Sequence, residues 1–169
     1  MRGLTTALAG MSLILAPVAA IAAEFTAETD NALEACVKAA VEKLPGYVTG
    51  WRIDWPPGGL AIKVDVLATN DRVWELGCEG GAIVREKSTR TPGDYQSVRT
   101  RVMVPERSAR QTAAAAYPKG DLLKMKYGRA WRGRVYYTYT FNLPDGREAV
   151  VQVNTATGRI DETSSERKG

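Results

Sequence analysis

Apolar positions recur along this chain with two periods, one helical and one alternating. Leu33, Cys36, Val37, Ala40, Val41 and Leu44 form one stripe at helical spacing, with Asp30 placed to cap it and Pro45-Gly46 to stop it. A strand is expected over Val48–Trp55, followed by a turn at Pro56-Pro57-Gly58-Gly59. Leu60, Ile62, Val64 and Val66 then alternate with Ala61, Lys63, Asp65 and Leu67. After a turn at Asn70-Asp71, Trp74, Leu76 and Cys78 share one face of a further strand, and Gly80-Gly81 turns into Ala82-Ile83-Val84.

The second half follows the same order. Ser108, with Gln111 three residues on, forms a candidate capping box for a helix that reaches Tyr117 and stops at Pro118. Strands are expected at Leu122–Tyr127, at Val135–Phe141 with Val135, Tyr137, Tyr139 and Phe141 inward, and at Ala149–Val153 beyond the turn Pro144-Asp145-Gly146. The last of these runs through Thr155-Ala156-Thr157-Gly158 into another short strand. A shift of 75 positions carries Leu60, Ile62, Val64, Val66, Trp74 and Leu76 onto Val135, Tyr137, Tyr139, Phe141, Ala149 and Val151. A one-residue slip would turn every side chain over, so a match of this length points to duplication. The expected fold is α+β, two tandem repeats of one helix followed by a small antiparallel β-sheet. The repeats span 24–88 and 108–163, joined by a connector at 89–107 and followed by a polar, frayed tail at 164–169. Within the connector, Val98, Thr100, Val102 and Val104 alternate well enough for an added strand.

The first residues change the picture by removing themselves from it. Arg2, the apolar run Ala7–Leu15 and the small residues Ala20-Ile21-Ala22-Ala23 have the layout of a secretory signal peptide over 1–23. Its loss leaves roughly 146 residues, enough for one modest core or two very small ones, and lowers the formal charge from +4 to +3. Export, with the bacterial periplasm as destination, places Cys36 and Cys78 in an oxidising compartment, where they have one intramolecular bridge open to them. Cys36 lies on the helix stripe and Cys78 on the inward face of its strand, so the bridge would pin helix to sheet.

A Tyr-rich strand, an Asp-Gly turn and a strand closing on Thr-Gly-x-apolar resemble the PepSY domain family. The residues that carry the likeness are Tyr137-Thr138-Tyr139, Asp145-Gly146 and Val153-Asn154-Thr155-Ala156-Thr157-Gly158-Arg159-Ile160. Asn154 stands where the family has aspartate, and one residue is added or shifted around Thr155. The resemblance covers about Ser108–Thr163, and the first repeat reads as a degenerate copy. It implies a non-enzymatic module of the kind found in propeptides of secreted metallopeptidases and in cell-envelope proteins, whose members are proposed to inhibit peptidases or to bind ligands.

Chemistry is scarce in the residues themselves. The chain has no histidine, which removes Ser-His and Cys-His arrangements and most catalytic zinc sites. Asp54, Asp65, Asp71 and Glu75 could be paired as carboxylates, but Asp65 and Glu75 fall on the outward face of their strands. No enzyme activity, cofactor or metal is expected. One stretch, Lys119–Tyr137, gathers Lys124, Lys126, Arg129 and Trp131 among its basic and aromatic residues. It is either a solvated edge hairpin or a contact surface for an anionic envelope surface or an acidic protein, nucleic acid being set aside by export. Trp74 is assigned to the core, and Trp55, beside Pro56-Pro57, to an exposed partner anchor. The functional expectation is a periplasmic binding or regulatory module acting on an envelope protein, a peptidase among the options. The alternative is a sensor or binder of a small ligand or of an anionic cell-envelope surface.

Overall fold

Thr26, not Asp30, starts the first helix: its Oγ1 accepts from the Thr29 amide at 3.3 Å, and α1 runs Ala27–Lys43. Asp30 sits in the first turn, where its carboxylate meets Arg110 of a distant helix. The computed structural model describes residues 26–129 and 133–167, so the expected leader and Trp131 lie outside the described residues. After α1 come β1 (Gly46–Asp54), β2 (Ala61–Ala68), β3 (Arg72–Glu79) and β4 (Ala82–Pro92). Then follow α2 (Tyr95–Arg101), α3 (Glu106–Ala116), β5 (Asp121–Arg129), β6 (Val135–Asn142), β7 (Arg147–Asn154) and β8 (Ile160–Arg167).

The expectation of two repeats, each with its own small sheet, is overturned. Among the described residues, eight strands form one antiparallel sheet in the order β4-β3-β2-β1-β5-β6-β7-β8, with three helices rather than two. The reason lies at the centre. Left apart, β1 and β5 would each present an unpaired edge, and pairing Gly50, Trp51 and Arg52 with Lys126, Met125 and Lys124 removes both edges at once. One apolar row then crosses six strands, Leu76, Val64, Trp51, Met125, Tyr139 and Val151, all essentially buried. Each large side chain removed from water stabilises by roughly 1.5–3 kcal/mol. α1 lays Leu33, Cys36 and Ala40 on one part of this face and α3 lays Ala109 and Ala113 on another, in a single core. Alanines at those α3 positions let the helix approach closely. The Cys36–Cys78 disulfide is present and ties α1 to β3 across a Cα–Cα distance of 5.8 Å.

Three local expectations also change. Ser97–Val104 is not a strand, because Asp94 Oδ1 caps the Ser97 amide at 2.9 Å and starts α2 behind Pro92-Gly93. Ser108 does not cap α3, which begins at Glu106 after Pro105 without a side-chain cap. Residues 164–167 are not a frayed tail but the end of β8, whose polar sequence suits an edge strand pairing with β7.

Candidate binding surface on the face opposite α1 and α3

Strand alternation sends every second residue to the face that α1 and α3 leave uncovered. There the register sets Lys63 of β2 beside Arg52 of β1, and Arg52 beside Lys124 of β5. Arg85 of β4 extends the row, packed over Gly77, which is the neighbour of Lys63 on β3. Neighbouring strands lie about 4.8 Å apart, so these cations form a band across the middle of the sheet. Neutralisation is partial: Asp54 meets Arg52 at 3.0 Å and Glu148 meets Lys124 at 3.9 Å, both at the protein surface. Like charges directly opposite each other weaken a sheet, so the band costs stability.

The next row holds Glu75, Asp65, Gly50 and Lys126 on β3, β2, β1 and β5. It borders a cavity of about 500 Å³ that opens where β1 and β5 part company. Their pairing ends at Gly50 and Lys126, beside the bulge at Thr49, and α2 lies across the gap. Tyr95 of α2 packs its ring 5.2 Å from that of Tyr47, and Arg129 donates to Ser97 Oγ at 2.7 Å. Leu67, Val73 and Val98 make an apolar floor. A Cβ at position 50 would come within 2.9 Å of Asp65 Oδ2, so Gly50 is what lets this carboxylate lie in the row. Burial first, and the Glu75 charge second, hold the Asp65 carboxyl above its ordinary range, against the pull of Lys126, Arg52 and Lys63. Tyr127, on the cavity wall, is likewise raised by burial.

A second group of titratable side chains sits on the helix side. Trp51 Nε1 donates to Glu106 Oε1 at 3.0 Å, and the Tyr139 hydroxyl reaches the same oxygen at 3.3 Å and the Glu106 carbonyl at 3.1 Å. Burial pushes the Glu106 carboxyl up to about 7, while those two hydrogen bonds oppose the rise. Arg110, whose side chain is 4 % exposed, bridges α3 to Asp30 and Glu34 of α1, with Glu106 at 3.8 Å from its Nε. Its guanidinium lies 6.0 Å from the centre of the Trp51 ring, close enough for a cation–π contact. These groups bond one another, which makes them a clamp between helices and sheet rather than an open site.

Of the residues singled out from sequence, Lys124 and Lys126 lie on the face opposite α1 and α3, and Arg129 stands at the cavity wall. Trp55 lies elsewhere, half-buried beside the disulfide with Leu60 and Ile62. Trp74 is half-buried, with its Nε1 lacking a hydrogen-bond partner among the described residues. Sequence reasoning missed Arg52, Lys63 and Arg85, because single-strand alternation does not say which strands become neighbours. Among the described residues no group of three or more His, Cys, Asp or Glu side chains is placed to hold a metal ion, and no helix is long and apolar enough to cross a membrane. No protein-family model matches the chain, and no curated protein matches it. The chain is similar to a crystal structure of a candidate lipoprotein of Clostridium difficile 630, at 11 % identity and a TM-score of 0.47, over 82 % of this chain and 92 % of that one.

Proposed function

We propose that this chain is a non-enzymatic, extracytoplasmic binding module that seats the sheet face opposite α1 and α3, at the part that α2 leaves open, on an anionic cell-envelope surface. The observation that carries the reading is the band of Lys63, Arg52 and Lys124 on three adjoining strands, with Arg85 beyond Gly77 on the next strand but one. A solvated face gains nothing from aligned like charges, whereas an anionic surface rewards each basic residue held near it with about 1 kcal/mol. Lys126 adds to the band from the neighbouring row. Export is supported by the leader-like residues 1–23 and by the Cys36–Cys78 bridge, which persists in oxidising compartments. The PepSY-like residues of β6 and β7 are compatible with a binding role, and peptidase modulation stays within that reading as a further protein contact.

The test is co-sedimentation of the oxidised protein with vesicles of phosphatidylcholine containing or lacking phosphatidylglycerol. Binding is expected to need the anionic lipid, to fall steeply between 50 and 300 mM salt, and to be lost in the Arg52→Glu, Lys63→Glu, Lys124→Glu triple variant. Equal binding of the triple variant, or binding indifferent to phosphatidylglycerol, would remove the proposal.

A further inference from the structure

The cavity beside the basic band is a different kind of site. It is concave, of a size that suits small-molecule ligands, and lined by an apolar floor with a few polar groups on its walls. The charges are sorted by side. Asp65 and Glu75 stand together on β2 and β3, as direct cross-strand partners. Lys126 and Arg129 stand on β5, beyond the glycine at position 50. Asp65 and Lys126 are two strand spacings apart, roughly 10 Å at their Cα atoms. Among the described residues neither carboxylate has a salt bridge within 4 Å, although surface ion pairs form elsewhere on the same face. The third carboxylate on the wall, Asp94, is already engaged in capping α2.

We infer that this cavity binds a small zwitterion with an apolar body, of dipeptide size, whose ammonium lies between Asp65 and Glu75 and whose carboxylate faces Lys126 and Arg129. The ligand's two charges match the two walls, and its side chains cover Leu67, Val73 and Val98. An ammonium relieves the repulsion between two carboxylates held side by side, which Lys126, Arg52 and Lys63 offset only in part in the unliganded protein. A lone amino acid holds its charges too close together to reach both walls well, and a long peptide holds them too far apart. Separation of the ends therefore sets the selectivity.

Isothermal titration of the oxidised protein with valyl-leucine tests this directly. Saturable binding with a dissociation constant at or below about 1 mM is expected. N-acetylation of the dipeptide, and Asp65→Asn or Glu75→Gln in the protein, should each weaken binding tenfold or more. Amidation of the carboxylate should weaken it several-fold in the wild type and by less in Lys126→Met, where only the Arg129 part of that contact is left to lose. A hexapeptide of the same residues should bind at least tenfold more weakly. Asp65→Asn also removes the repulsion with Glu75, so the ligand-free variant should melt higher than the wild type, which separates loss of the site from loss of the fold. Absence of binding by valyl-leucine, equal binding of its acetylated form, or full binding by a folded Asp65→Asn protein would each overturn the inference. Binding of leucine alone as tightly as the dipeptide would overturn the assigned size and with it the two-walled geometry.

Discussion

Replacing Glu106 by glutamine should change how stability depends on pH. In the fold this carboxyl is driven from its ordinary 4.5 up to about 7, because burial between α3 and the sheet outweighs the hydrogen bonds from Trp51 and Tyr139. A raised carboxyl favours its protonated form when folded. Below pH 4.5 the group is neutral in both states and costs nothing. Between 4.5 and 7 the unfolded chain ionises while the native one keeps its proton, so stability falls by about 1.4 kcal/mol per pH unit. Above 7 the loss levels off at roughly 3 kcal/mol. Glutamine keeps an oxygen for Trp51 and Tyr139 but cannot ionise. The expected result is that Glu106→Gln gains on the wild type by about 3 kcal/mol between pH 4 and pH 8, read from urea unfolding followed by tryptophan fluorescence. The difference between the two proteins isolates this group from all other titrations. A flat difference would refute the reasoning. It would mean that Glu106 titrates in the fold as it does in the unfolded chain, the desolvation cost being offset by Arg110, whose Nε is 3.8 Å away.

Two other outcomes test the scaffold. Reduction of Cys36–Cys78, whose loop spans 42 positions, should destabilise by up to about 4 kcal/mol in a comparison of thermal melts with and without reductant. Gly46→Ala should cost about 1–3 kcal/mol in chemical denaturation, because its new Cβ would lie 2.3 Å from the Leu67 carbonyl oxygen, an atom of backbone that cannot swing aside.

Much of this fold was legible one element at a time. The stripe from Leu33 to Leu44 marked α1, the alternations through Val64 and Tyr139 marked inward faces, and the positions of Cys36 and Cys78 in those patterns foretold the bridge. What periodicity does not carry is which strand lies next to which. The meeting of Arg52 with Lys124 depends on a pairing between residues 72 positions apart, and nothing in either strand announces it. The same holds for Trp51 and Glu106, whose contact needs both the central pairing and the seat of α3. Arg110 drew no notice for another reason. An arginine amid alanines reads as a solvent-facing position, yet Asp30 and Glu34 of another helix allow it to be buried. Ser97–Val104 alternates like a strand, but a short-range signal, Asp94 behind Pro92-Gly93, decided the segment as helix and so placed a wall on the cavity.

The single disulfide also bears on the order in which the molecule is made. Cys36 emerges from synthesis with α1 and has no partner until β3 has followed it, so α1 cannot be locked down before β1 and β2 exist between the two cysteines. With two cysteines in the sequence there is no wrong intramolecular bridge to form and none to reshuffle. Oxidation therefore needs an electron acceptor but no isomerase. It closes around the first four elements without waiting for β5, whose union with β1 comes later in the chain and completes the sheet.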